Sequence, residues 1–303
     1  MPLDPLAAAW IEASAGQPVI HESTPEVIRA SRVPGPAGPD VHRVEDMEIA
    51  GPDGPVPVRI YWPSEAPALP ILVWYHGGGW VLGTLDLADA TARRLCSLGE
   101  CIVISVDYRL APEHPFPAGV DDSYAAVVWA YQNAKRFGGD SSRIAVGGDS
   151  AGGTMATVVA ALARDRAGIA LAFQLLVYPV TDASMGTASF RENLTYGLTP
   201  EAMAWFYDRY VPAGIDRNDP RISPARATLE GLPPAYLLTA EFDPLRDEGN
   251  AYAAALRAAG VEVDHECFAG QIHTFFVNAH YFPEGMRAVE TAAKHLKQAF
   301  AAS

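Results

Sequence analysis

Cysteine is scarce in this chain. Cys96, Cys101 and Cys267 are the only three among 303 residues. The odd count and the lack of a C-x-x-C pair argue against a disulfide framework or a thiolate metal site, and suit a reduced compartment. Basic residues are also few: 22 Lys and Arg stand against 36 Asp and Glu, a net charge of −14. Nucleic acids and anionic membranes, which need basic patches, are therefore not expected as partners. No run of about 18 apolar residues occurs, so no membrane span is expected. The opening MPLDPLAAAWIEASAGQ lacks the basic start of a secretory leader, and the expected location is cytoplasmic. No internal repeat or low-complexity tract is present.

What is there is a large apolar core: 49% of residues are hydrophobic and 19% charged, ordinary values for a globular protein. Two strand-like runs, VHRVEDMEIA and VPVRIYWP, are joined by the hairpin signal GPDG. Six further short apolar runs follow: PILVWYHG, CIVISVDYR, RIAVGGDS, AFQLLVYPV, AYLLTAEFD and VEVDHECFAG. Most are nearly continuous in hydrophobicity, which implies burial on both faces, as in a parallel sheet covered by helices. Helix-like stretches separate most of them, including residues 86–98, 120–136, 154–167, 251–260 and 286–302. This alternation signals an α/β fold.

The rhythm breaks between Pro179 and Ala235, where TPEAMAWFYDRYV reads as an aromatic amphipathic helix. The expected organisation is an N-terminal cap segment over 1–40, a first core part over 41–182, a cap insertion over 183–230 and a second core part over 231–303. Trp10, Trp205, Phe206 and Tyr207 are candidates for lining a pocket beneath such a cap. Aromatics at helical spacing are more often simply packed.

The chemistry centres on GGDSAGG, residues 147–153. G-x-S-x-G between a strand and a helix is a nucleophile elbow, a turn so sharp that flanking side chains do not fit. It would expose the Ser150 hydroxyl at the positive end of the following helix. A serine hydroxyl is barely ionised at neutral pH and needs a base, which in turn needs an orienting acid. In sheets of this type the chain order is serine, acid, histidine. Asp243 in EFDPLRDEG and His273 in AGQIHTFF follow the two last strands and are the candidates. Asp243 before Pro244 also reads as a helix N-cap. Asp247 is its rival, though it falls in a first helical turn, where acids are expected anyway. His280 is the rival base, while His265 and His295 read as packing or surface residues.

Upstream, YHGGGW places three glycines after a strand. Free backbone N–H groups there suit the oxyanion formed when a carbonyl is attacked. Gly78, Gly79 and Ala151 would supply three donors, with His76 shaping the loop.

HGGGW, GDSAGG, DYRLAPEHPFPA, DPLRDEG and GQIHTF, in that order, resemble the hormone-sensitive-lipase-like family of bacterial α/β-hydrolase carboxylesterases. The likeness runs from about Val41 to Phe276. It implies an α/β-hydrolase fold, with a mostly parallel sheet of about eight strands, flanking helices and a helical cap. It also implies hydrolysis of small-molecule esters with short to medium acyl chains, without a cofactor. The triad falls on Ser150, Asp243 and His273, and the oxyanion hole on Gly78, Gly79 and Ala151. Asp107 and Arg109 read as a structural pair bracing the loops below. The resemblance also allows a homodimer, for which one sequence offers no interface. An amidase or lactonase with the same triad, or a non-catalytic ligand-binding protein on the same fold, remains an alternative.

Overall fold

The computed structural model describes residues 2–303, so Met1 of the N-terminal segment lies outside the described residues. The chain begins with α1 (Pro5–Ala13) and α2 (Pro25–Ser31), then the hairpin β1 (Arg43–Gly51) and β2 (Gly54–Trp62). Gly51 pairs with Gly54, which leaves Pro52-Asp53 as the two-residue turn that GPDG signals. There follow β3 (Leu69–Tyr75), α3 (Leu85–Gly99), β4 (Ile102–Val106), α4 (Ala118–Asn133), β5 (Gly139–Asp149) and α5 (Ala151–Leu162). The remainder is β6 (Phe173–Val177), α6 (Ser189–Glu192), α7 (Pro200–Tyr210), β7 (Ala235–Phe242), α8 (Arg246–Ala258), β8 (Val263–Ile272) and α9 (Pro283–Ala302).

The strands form one eight-stranded sheet in the order β1-β2-β4-β3-β5-β6-β7-β8. Only β2 runs against its neighbours, and β3 to β8 are mutually parallel. This is the α/β fold expected from the alternating runs, in the α/β-hydrolase arrangement that the family resemblance implies. Both faces are covered, which explains the unbroken apolar runs: every residue of β4 and β6 is buried. Ile71, Val73, Ile104 and Val146 face one side and pack with Val127 of α4 and Val159 of α5. Leu72, Trp74, Val103 and Leu175 face the other, with Leu95 of α3 and Leu296 of α9. β1 at one edge is mostly exposed, and β8 at the other is half so.

The strand order reverses beside β3. The chain leaves β3 to place β4 on one side, then returns to place β5 on the other. At such a switch point the loops at the carboxyl ends part and leave a crevice for a ligand. At this crevice β3 ends at Tyr75, paired in register with Gly148, and β5 ends one residue later at Asp149. The glycine loop and Ser150 follow directly.

α7 starts where Thr199 accepts the Ala202 N–H and Pro200 takes the first helical position. The Trp205 indole of this helix donates to the Ser23 carbonyl at 3.1 Å. Residues 20–23 thus pack with the inserted helix. α1 goes elsewhere: Asp4 N–H bonds Gly270 of β8, and Trp10 packs on Tyr281 and Phe282 with ring centroids 5.0 and 5.6 Å away. The seven-residue α2 was not legible as a helix, because two turns are too few for an apolar period to register. Its Thr24 cap and Pro25 were the available signal. No described helix is long and apolar enough to cross a membrane.

Candidate active site

The elbow is built from β5 and α5. Ser150 sits between them at φ 55° and ψ −120°, a region that costs a non-glycine residue roughly 1–3 kcal/mol. The surrounding structure fixes it: Ser150 N–H donates to Val177 at 2.9 Å, and its carbonyl accepts from Thr154 and Val180. Both flanking glycines are required sterically. A Cβ on Gly148 would meet the Gly152 backbone, and one on Gly152 would strike the Tyr75 carbonyl oxygen. Since that neighbour is β3 backbone, it cannot swing aside. Gly152→Ala should therefore lower stability by at least about 1–3 kcal/mol, read as a fall in Tm. An unchanged Tm would contradict this packing.

His273 follows β8 and brings its Nε2 to 3.0 Å from Ser150 Oγ. Its Nδ1 lies 2.7 Å from Asp243 Oδ2. Asp243 is fully buried just after β7, with its second carboxylate oxygen accepting the Leu245 N–H at 2.9 Å. The Asp243 carbonyl also accepts from Arg246, so this residue shapes the start of α8 while reaching His273. The Tyr178 ring packs against the imidazole, centroids 4.5 Å apart. Geometry of this kind lets an imidazole take a hydroxyl proton while a carboxylate holds its tautomer.

The rivals lie elsewhere. Asp247 accepts from the Ser189 N–H and pairs with Arg246. His280 is exposed and lies against Gly35. His265 is within 3.4 Å of Thr239, and His295 stacks on Tyr236.

The glycine loop lies against the elbow. Gly78 and Gly79 have φ of 119° and 59°, the backbone region that favours glycine. The N–H groups of Gly78, Gly79 and Ala151 make no hydrogen bond to another described residue. His76 stacks on Tyr108 at 4.5 Å and its Nδ1 bonds the Gly77 carbonyl at 2.8 Å. Burial lowers its pKa, which keeps the ring neutral and structural. Phe206 of α7 lies directly over Gly79: a Cβ there would strike its ring. Trp80 continues the contact by stacking on Tyr210 at 4.4 Å.

Arg109 forms a brace, but not with Asp107. It makes three hydrogen bonds of 2.8–3.0 Å to the buried Asp122 of α4 and reaches Asp53 in the hairpin turn. Other supports were invisible in the sequence. Ser189 Oγ donates to the Pro244 carbonyl at 2.6 Å, and Asn193 to the Asp243 carbonyl at 3.1 Å. Buried Glu248 accepts the Thr181 N–H at 2.7 Å. The contacts from Ser189 and Asn193 tie the inserted segment to the loop that carries Asp243. Among the described residues, no three His, Cys, Asp or Glu side chains group so as to hold a metal ion.

A family model described as the alpha/beta hydrolase fold matches residues 72–277, and a carboxylesterase of Mycobacterium tuberculosis, NlhH, is 47% identical over 270 residues. The chain belongs to the hormone-sensitive-lipase-like carboxylesterases. It is a carboxylic ester hydrolase. The match to NlhH covers 85% of this chain and 83% of that protein. An ethyl acetate hydrolase of Pseudomonas putida is 39% identical over 264 residues, 84% of this chain and 83% of that one. Among solved structures, a hyperthermophilic esterase of Pyrobaculum calidifontis superposes with a TM-score of 0.92 at 40% identity, covering 98% of this enzyme and 99% of that chain.

Proposed function

We propose that this enzyme hydrolyses small-molecule esters of short to medium acyl chain through a covalent acyl-enzyme on Ser150. The observation that carries the reading is the hydrogen-bonded line Ser150–His273–Asp243, buried at the switch point of the sheet. His273 Nε2 takes the Ser150 proton as Oγ attacks the ester carbonyl. The N–H groups of Gly78, Gly79 and Ala151 receive the oxyanion, a role in which one donor is worth about 2.7–4 kcal/mol. His273 then protonates the departing alcohol. Water, activated by the same imidazole, releases the acid. Asp243 keeps the His273 Nδ1–H in place and stabilises the imidazolium.

In this reading residues 183–230, with 20–23 packed against them, form a cap on a core made of 41–182 and 231–303, while α1 of the N-terminal segment lies apart on β8. Phe206, over Gly79, bounds the substrate space, and its bulk favours short chains. Phe206→Leu should shift kcat/KM toward longer acyl chains, by about tenfold between acetate and octanoate. An unchanged chain-length profile would remove Phe206 from the pocket.

The test is hydrolysis of p-nitrophenyl esters from acetate to palmitate, beside matched anilides, by wild type and Ser150→Ala with chelator present. Chelator-insensitive turnover of the short esters, lost in the variant, supports the reading. Faster anilide turnover would make the enzyme an amidase. No turnover of any ester by folded protein would favour the ligand-binding alternative.

A further inference from the structure

Asp149 directly precedes the nucleophile, and its side chain is buried. Its Oδ1 accepts the Gly77 N–H at 3.0 Å. Beyond the ladder between β3 and β5, this is the one hydrogen bond joining the glycine loop to the elbow among the described residues. The loop's other bonds hold it elsewhere. The Tyr108 hydroxyl donates to the His76 carbonyl at 2.7 Å, and Gly78 accepts from Leu82 at 2.8 Å. None of these sets the distance between the loop donors and Ser150 Oγ. Gly77 also has no room for a side chain, since a Cβ would run into the Asp149 carboxylate. The approach is as close as glycine allows.

We propose that Asp149 is a positioning residue whose ionised carboxylate latches the oxyanion loop to the nucleophile elbow. The inference rests on the acyl-enzyme reading above and adds a group to it. A charged acceptor makes a hydrogen bond roughly twice as strong as a neutral one. Protonation therefore weakens the latch without unfolding the site. Burial raises the Asp149 pKa to about 6, against the pull of the Gly77 N–H and the His273 charge. The remaining groups facing it are the hydroxyl-bearing rings of Tyr108 and Tyr178. As pH falls through that value, the carboxylate takes up a proton and the loop loosens.

The sign for stability is opposite. A carboxyl whose folded pKa is raised is buried at a cost whenever it is ionised, so the fold is penalised above the folded pKa. Removing the charge while keeping an acceptor should leave Tm at pH 8 unchanged or higher, while turnover falls. A residue with a purely structural role would lose Tm.

The experiment compares wild type, Asp149→Asn and Asp149→Ala on p-nitrophenyl butyrate across about pH 5–9. Active sites are counted by p-nitrophenol release from a p-nitrophenyl alkylphosphonate. Asp149→Ala should lose about 100-fold in kcat, as for a lost oxyanion donor, with KM within about threefold. Asp149→Asn, which still offers Gly77 an acceptor, should regain about tenfold of that loss. Its acid limb should lie at lower pH. Turnover of Asp149→Ala within about threefold of wild type, or superimposable acid limbs for wild type and Asp149→Asn, would overturn the proposal. If Asp149→Ala fails to fold, the Asn variant's pH profile and Tm decide. Wild type that releases no p-nitrophenol from the phosphonate would instead overturn the acyl-enzyme reading itself.

Discussion

Ser150→Ala and His273→Ala should each lower kcat on p-nitrophenyl butyrate by about 10⁶-fold, and the double variant should fall no further. The first loss corresponds to about 8 kcal/mol of transition-state stabilisation. The two effects do not add because the pair acts as a unit. Ser150 Oγ lies 3.0 Å from His273 Nε2, and neither group has an alternative partner for the proton. A serine without its base stays a weak nucleophile, and a base without its serine has only water to activate. Residual turnover would come from the donors of Gly78, Gly79 and Ala151. Additive losses would mean that the two side chains work in separate steps.

Asp243→Asn should cost about 10⁴-fold in kcat with little change in KM. The reason lies in the second oxygen of this carboxylate. Oδ1 accepts the Leu245 N–H at 2.9 Å, so an asparagine would keep its carbonyl oxygen there. The amide NH₂ would then face His273 Nδ1, 2.7 Å away in the native pairing. Nδ1 must become the acceptor, Nε2 carries the proton, and the imidazole can no longer accept one from Ser150. Asp247→Asn should change kcat by less than about threefold, because Asp247 is engaged by Ser189 and Arg246. The reverse ranking of the two variants would move the acid to Asp247.

The sequence revealed the strands more fully than the helices around them. Most of β3 to β8 were legible because burial on both faces writes itself as nearly continuous apolar runs, whereas β1, mostly exposed, and β2 were legible through the hairpin signal GPDG between them. Ser150, His273 and Asp243 were legible because each directly follows a strand. In an α/β sheet, that position puts side chains at one end regardless of their separation in the chain.

The supports were not legible. Asn193 meets Asp243, Ser189 meets Pro244, and Glu248 meets Thr181, each across fifty residues or more. Nothing local in those residues marks the contact. Asp149 was visible within GGDSAGG, but its reach to Gly77 depends on the register of β3 against β5. The fate of Trp10 was undecided for the same reason. Its ring packs on Tyr281 and Phe282, more than two hundred residues later.

The proposal that Ser150 Oγ is the nucleophile has a direct chemical consequence. It is tested most directly by reacting the enzyme with a p-nitrophenyl alkylphosphonate and locating the adduct by peptide mass spectrometry. The account predicts one equivalent of p-nitrophenol released per chain and one alkylphosphonyl group, on the peptide that contains Ser150, with neither in Ser150→Ala. An adduct on another residue, or equal release by the Ser150→Ala variant, would contradict it.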